Sequence, residues 1–475
     1  MKLTRIAVTN YKSVENCHFE INQMFDKSYT YGLIGENEAG KTSFLKAVAL
    51  IDNLSTNAVT LKDYFDKDKP ITIELNYDLE NAEYQEIYDL LIAQGYDIDV
   101  KDYQFDKISI LFQLDKTTTV FKNYLIIDVK KKMTKFLITQ SGTLHHYIEK
   151  VRHKAVYWTY DSKYLISNDI NLQTFFNNPE TISIPLKNCF LLAKYDLADF
   201  PTLFSEISTD AAERQDLEKK LGKAVTQHIH KVWKEHKVDI SFSISGVNIS
   251  FLVNDHKSSK KAKTADQRSD GFKQFISFLL TISAQKVNSQ LSNTILLLDE
   301  PETHLHPKAQ QNLLEEICDI TTSNNNIVFF ATHSNYLIDK NILARNYKVE
   351  KNGDQTVISR FSDKTSTYAS VNYDVFNIIS TDYHNELYGV FQIGIEAENN
   401  DKIDQELKKL MPDIPEKSYK KGRKAAVNIS LPTYIRHQIH HPENVQNEKY
   451  TDKELKVSIE LLLNAISILN TNTKI

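Results

Sequence analysis

Hydrophobic and polar positions follow two distinct regimes along the chain. From Lys2 to Thr9 apolar residues recur at every second position, and after Tyr11-Lys-Ser-Val the alternation resumes at His18-Phe-Glu-Ile, which predicts a hairpin or a pair of edge strands. Tyr29 to Gly35, Ile295 to Leu298 and Asn326 to Ala331 are instead unbroken apolar runs. They are too short for a free helix and too continuous for a half-exposed strand, so they predict buried strands of a parallel sheet. Alternation returns at Ile71–Tyr77, Ile108–Leu114 and Tyr124–Val129, with a helical stretch from Ala82 to Leu91, and predicts an antiparallel β lobe. Asp239–Ile244 and Val247–Val253 flank Ser245-Gly246 as a hairpin. Helical spacing covers Ser43–Ile51, a stretch capped by Asp210, the apolar run after Ser269, Lys308–Ile320 and the last turns up to Leu469. The pattern as a whole is that of an α/β protein.

Composition narrows the class. The chain of 475 residues has room for two or three domains, and 41% hydrophobic with 25% charged residues is ordinary for a soluble protein. No apolar run approaches the roughly 20 residues a membrane helix needs, and Met1-Lys-Leu-Thr-Arg opens on a strand pattern, so no membrane span and no leader are expected. Cys17, Cys189 and Cys318 are odd in number and far apart, which predicts neither a disulfide framework nor a zinc site and fits a cytoplasmic location. A formal net charge of −5 argues against a globally basic nucleic-acid coat and leaves only local patches for nucleic acid.

Candidate chemistry sits at the ends of the buried runs. Gly35-Glu-Asn37-Glu38-Ala39-Gly40-Lys41-Thr42 fits G-x-x-x-x-G-K-[ST] between a strand and a helix that opens at Ser43. Such glycines let backbone N–H groups turn inward around a phosphate, Lys41 reaches the β/γ-phosphates of ATP and Thr42 ligates Mg²⁺. Asp299 and Glu300 close the Ile295–Leu298 run, where ligands of open α/β sheets bind. There one acid can hold a hydrated Mg²⁺ and the next accept a proton from water. Ser269 as N-cap and Gly271 in the first turn would leave backbone donors free for an anion. His333, at the end of the Asn326–Ala331 run, reads as a γ-phosphate contact. Gln113 is open to two readings, a Mg²⁺ or water ligand reached from the β lobe or a surface residue. Lys130–Lys132 and His256–Lys263 read as solvated charge runs, the latter with phosphate contact as its alternative.

Taken together, Gly35–Thr42, Ser269–Gly271, the Asp299-Glu300-Pro-Glu-Thr-His304 strand end and Thr332-His333-Ser334 resemble the motif set of ABC-type ATPases related to the RecF, SMC and OLD groups. The resemblance implies an ABC-type ATPase head, a mostly parallel sheet with a P-loop plus an antiparallel β lobe, followed by a helical C-terminal region. The implied boundaries are residues 1–200 for an N-terminal lobe, 201–350 for a second lobe and 351–475 for the helical region. It further implies a homodimer closed by an ATP sandwich, open to higher assembly, with Asp299 as Mg²⁺-site acid, Glu300 as catalytic base, His333 as switch histidine and His304 in the segment crossing the interface. Arg268, Asp270 and Phe272 depart from the family's signature. The chain is similar to stand-alone ATPases of antiphage defence of the Septu type, which implies a sensor or scaffold controlling a separate HNH-type nuclease. A RecF-like DNA clamp is the alternative.

The C-terminal region carries a basic stretch from Lys417 to Lys424 and an odd segment, Arg436-His-Gln-Ile-His440-His441-Pro442. Arg436 and His441 have the R-x4-H spacing of HEPN ribonucleases, which would give the chain its own ribonuclease activity. The other reading is an Arg and His cluster that pins the C-terminal helices or docks a partner.

Overall fold

The computed structural model describes residues 1–53, 59–96, 105–129, 132–139, 142–159, 161–232, 238–255, 261–283, 291–361 and 367–472. The charge runs at Lys130–Lys131 and at residues 256–260 lie outside them. The chain divides into two compact units, Met1–Asp363 and Lys364–Ile475.

Two six-stranded sheets organise the first unit. The antiparallel sheet has the order β2-β1-β4-β5-β6-β7, formed by Val14–Glu20, Lys2–Tyr11, Ile71–Asp78, Lys107–Leu114, Lys122–Val129 and Lys132–Ile138. The burial of β4 alternates strictly with sequence, as the period-two pattern requires when one face is covered. The second sheet has the order β16-β15-β3-β14-β13-β8. Its strands are Gln355–Arg360, Asn346–Asn352, Thr30–Ile34, Ile327–Thr332, Thr294–Asp299 and Lys154–Trp158. All its pairings are parallel except that of β16, an antiparallel edge.

The central strands are buried along their whole length because both faces are covered. In β13, Ile295 and Leu297 enter one hydrophobic core while Leu296 and Leu298 enter another. In β14, Phe329 and Ala331 join the first core while Val328 and Phe330 join the second. The first core holds the antiparallel sheet and the helix Lys41–Asn53. Its centre is an aromatic cluster in which Phe44, at the start of that helix, lies 4.7 Å from Phe19 and 5.5 Å from Phe329 between ring centroids. The second core takes the helices between Leu172 and Val232, the helix Asp270–Phe278, and a smaller antiparallel sheet in which β11 (Asn248–Asp255) lies between β10 (Val238–Ser245) and β12 (Lys263–Thr264) and also pairs with β9 (Ile170–Asn171).

Strand β8 lies in the stretch whose pattern is least informative. Its sequence, Lys-Ala-Val-Tyr-Trp, buries only two of five positions because, among the described residues, it is an edge strand paired with β13 alone, so neither alternation nor a long apolar run marks it.

The second unit is mainly helical, with Thr381–Gly394, Leu431–His440 and Asp452–Asn472 packed around Tyr388, Phe391, Ile435, Ile459 and Leu462. It also contains a two-stranded hairpin that its sequence pattern does not announce, β17 (Glu416–Tyr419) with β18 (Val427–Ser430).

Candidate functional site

Strand register puts the chemistry on one edge. Ile34 pairs with Thr332, Asp299 with Ala331 and Leu298 with Trp158, so β3, β14, β13 and β8 end together at their carboxyl ends. Residues that follow those ends are thereby gathered: the Gly35–Thr42 loop, His333, Glu300 and the end of β8.

The loop between β3 and its helix lines a cavity of about 130 Å³ with Asn37, Glu38, Ala39, Gly40, Lys41, Thr42 and Ser43, and Glu300 closes the wall. Gly40 has φ +105°, and a Cβ there would lie 2.0 Å from Thr356 Oγ1, so no other residue fits this turn. The helix begins at Lys41, so the N–H groups of its first turn, which have no intrahelical acceptor, border the cavity. Lys41 is buried and its Nζ donates to the carbonyls of Gly35 at 2.7 Å and Glu36 at 2.8 Å. Burial lowers its pKa, and the surrounding carboxylates of Glu300, Asp299, Glu302 and Glu36 counter that. The Lys41 ammonium thus stands in an acidic surrounding, which suits a site for a cation.

Across the cavity, Thr42 Oγ1 donates to Asp299 Oδ1 at 2.9 Å, and Tyr157 OH donates to Asp299 Oδ2 at 2.7 Å. Asp299 is therefore held from both sides. Burial and then the adjacent Asp299 push the Tyr157 phenol far above its ordinary range, so it stays a donor. Among the described residues no cluster of three or more His, Cys, Asp or Glu is arranged to hold a metal alone. The hydroxyl of Thr42 and the carboxylate of Asp299 are hard oxygen ligands that match Mg²⁺, which takes one or two protein ligands and completes its shell with phosphate and water.

Glu300 adopts φ +50° and its N–H donates to the Ala331 carbonyl at 3.0 Å. A non-glycine residue in the left-handed region is strained, and here the turn swings the carboxylate toward His333, whose Nδ1 lies 3.3 Å from Glu300 Oε1. Both side chains keep about two-fifths exposure, 38% and 43%. Glu302 turns inward instead. It is buried and accepts a short hydrogen bond from Thr332 Oγ1, and its second oxygen meets no side-chain donor among the described residues. Burial pushes its carboxyl up to about 7, against the hydrogen bond from Thr332.

The Ser269 turn reaches the same neighbourhood by packing. Ser269 is the N-cap of Asp270–Phe278 by position, exposed, with no side-chain cap bond. Gly271 is buried, and a Cβ there would lie 2.1 Å from the His304 carbonyl oxygen, so the close approach of these two segments requires glycine. Gln274, one turn on, donates to the carbonyl of Pro301 at 3.0 Å. The helix is thereby seated on the strand-end loop that carries Asp299 and Glu300. Arg268 donates to Asp255 at 2.9 Å and stacks on Phe272, which ties the turn to β11.

Gln113 is not at this edge. It sits on β5, where its amide donates to Asp115 at 3.0 Å and accepts from Lys135 at 3.2 Å. In the second unit, Arg436 donates to Asn385 Oδ1 at 2.6 Å and lies over the Tyr388 ring. His440 ends the helix, and His441 follows it, exposed and 3.2 Å from Glu443. Sequence reasoning missed Tyr157 because β8 itself was not read; the short apolar stretch Ala155–Trp158 was its faint signal. It also missed Arg152, which donates to Asp52 at the end of the P-loop helix at 2.6 Å and to Glu149 at 2.7 Å.

A family model described as "AAA domain, putative AbiEii toxin, Type IV TA system" matches residues 31–339. The uncharacterized protein MJECL43 of Methanocaldococcus jannaschii is 27% identical over 122 residues, covering 25% of this chain and 31% of that protein. The chain thus spans less than a third of the length of that curated relative. Among solved structures, an SMC head bound to the C-terminal winged-helix domain of ScpA matches 77% of this chain and 98% of its own at 12% identity, with a TM-score of 0.44. The SMC head domain from Thermotoga maritima matches 76% of this chain and all of its own at 10% identity, with a TM-score of 0.39.

Proposed function

The chain belongs to the AAA-domain family whose model spans residues 31–339, and from that premise we propose that it binds and hydrolyses Mg-ATP at the common edge of β3, β13, β14 and β8 as the nucleotide-gated subunit of an antiphage system. Its effector would be a separate HNH-type nuclease. The observation that carries the ATPase part is Asp299, fixed between Thr42 and Tyr157 beside the P-loop cavity. The defence role rests on the resemblance of the motif set to stand-alone Septu-type ATPases, and the toxin–antitoxin wording of the family fits a role in cellular conflict.

Mg²⁺, held by Thr42 and Asp299, would supply charge neutralisation toward the phosphates. In the proposed mechanism Thr42 and Asp299 hold that cation and Tyr157 keeps the Asp299 carboxylate aimed. Lys41 exchanges its two carbonyl partners for phosphate oxygens, a charge-assisted and stronger pairing. Glu300 accepts a proton from the attacking water, and His333 beside it orients that carboxylate and reaches the terminal phosphate. A homodimer closed on ATP would bring Ser269 of a second copy over this edge, since Ser269 is exposed and uses no side-chain cap bond.

The test is Glu300→Gln isolated at native expression. The proposal expects ATP retained, hydrolysis slowed at least about 10²-fold, a dimer by mass, and a stoichiometric HNH-type nuclease in the complex. A complex without nuclease that closes on duplex DNA only with ATP would replace the defence reading by the RecF-like clamp.

A further inference from the structure

The second unit presents a concentration of positive charge that its described residues do not neutralise. The loop joining β17 to β18 runs Lys420-Lys421-Gly422-Arg423-Lys424, all exposed, with Gly422 at φ +61° making the turn. Lys417, just before it, is matched by Glu454 at 2.5 Å and by Glu448. Among the described residues none of the four loop cations makes an ion pair. In a chain of net charge −5, four unpaired cations within five positions are a local reversal of sign.

The hairpin is held against the end of the helix Leu431–His440. Lys420 N–H donates to Asn447 Oδ1 at 2.7 Å, and its carbonyl accepts from Asn447 at 2.9 Å and Asn444 at 3.0 Å. Tyr419 stacks on His437 with centroids 4.7 Å apart and planes 16° from parallel, and His437 in turn faces His441 at 6.3 Å. His441 is the exposed end of this ladder, with 49% of its side chain accessible. The loop charge also reaches His437. Burial lowers the His437 pKa first, and His441 and Lys421 lower it further, against Asp401 and Asp404.

We propose that this surface, with Lys420, Lys421, Arg423 and Lys424 as phosphate contacts and His441 as a stacking face, binds the backbone of a nucleic acid strand. Clustered unpaired cations supply the sequence-independent phosphate attraction, and a planar ring at the edge of the patch offers a platform for a base, the combination used for single strands. An acidic protein segment would use the cations and leave the ring ladder without a role. The inference stands on the second unit alone and does not depend on the ATPase reading.

The test uses the full chain without nucleotide and labelled 30-mers of single-stranded RNA, single-stranded DNA and duplex DNA, titrated by anisotropy from about 50 to 200 mM salt. The variant carries K420E, K421E, R423E and K424E together. Expected are at least about tenfold weaker binding and a log–log salt slope shallower by about 0.7 for each single-strand phosphate that is no longer neutralised, with melting temperature and ATP turnover as in the parent. A second variant, K420R/K421R/K424R, keeps the charge and is expected to bind as the parent does. Tighter binding of RNA than of DNA assigns RNA as the ligand, and the reverse assigns DNA. No binding of any probe by the parent, unchanged binding in the charge-reversed variant, loss in the arginine variant, or tighter binding of polyglutamate of equal charge would each overturn the proposal.

Discussion

Thr42 Oγ1 and Asp299 Oδ1 lie 2.9 Å apart in a hydrogen bond that joins positions 257 residues distant in sequence. The bond closes the phosphate loop onto the end of β13, and its companion from Tyr157 makes the carboxylate a fixed point between two strands and a helix. Polar networks behind this point fix further groups in the same way.

Lys41→Ala removes the side-chain cation from the cavity wall formed by Asn37 to Ser43. A hydrogen bond to a charged group contributes about 1.5–3 kcal/mol, so ATP affinity should fall by about 10- to 100-fold or more. Isothermal titration calorimetry with Mg-ATP checks this, and unchanged affinity would remove the phosphate assignment of the loop.

Tyr157→Phe leaves Asp299 Oδ2 without its donor while preserving the ring. Groups that orient a metal ligand typically cost about 10- to 100-fold in metal affinity when lost. The Mg²⁺ concentration for half-maximal ATP turnover should therefore rise about tenfold or more, with nucleotide binding in the absence of Mg²⁺ unchanged. An unaltered Mg²⁺ dependence would reduce Tyr157 to a packing residue.

Glu149 receives Arg152 Nε at 2.7 Å and a short bond from Lys154, behind the P-loop helix. Burial alone would raise its pKa, but the two cations outweigh it and hold the carboxyl at about 2, below its usual 4.5. A depressed carboxylate stabilises the fold above its unfolded pKa and loses that contribution as pH falls through the folded value. Glu149→Gln should melt below the parent at pH 7, and the gap should shrink between pH 4.5 and about 2. Thermal melts across that range give the answer, and a gap independent of pH would show that the ion pairs contribute nothing.

Arg436→Ala should destabilise the second unit by about 1–3 kcal/mol, because the Asn385 oxygen loses its donor. His441→Ala should change stability by no more than about 0.5 kcal/mol, since the half-exposed ring lies beyond the helix end and its contacts are the His437 ring and the exposed Glu443. If purified protein cleaves RNA and either variant loses at least about 10²-fold of that cleavage, the pair is a ribonuclease site and its packing role is secondary.

Features whose physics is local are already written in the order of residues. Unbroken apolar runs at Tyr29–Gly35, Ile295–Leu298 and Asn326–Ala331 can satisfy their pattern only with both faces covered, so the buried parallel strands β3, β13 and β14 were legible. Alternation marked the antiparallel sheet in the same way, and Gly40-Lys41-Thr42 could be placed on a strand-to-helix turn from spacing alone. Tertiary structure decided what depends on neighbours far along the chain. The edge strand β8 has too mixed a burial to show a period, and with it went Tyr157, whose role is set by the carboxylate it meets. That Gly271 lies under the carbonyl of His304, which excludes a side chain there, is likewise set by packing between segments distant in sequence. The β17–β18 hairpin is held by Asn444 and Asn447 from beyond the next helix, a tie that no window of local sequence contains. Periodicity reports only whether a position is covered; which group covers it is settled by strand register and helix packing, and this site is assembled by both.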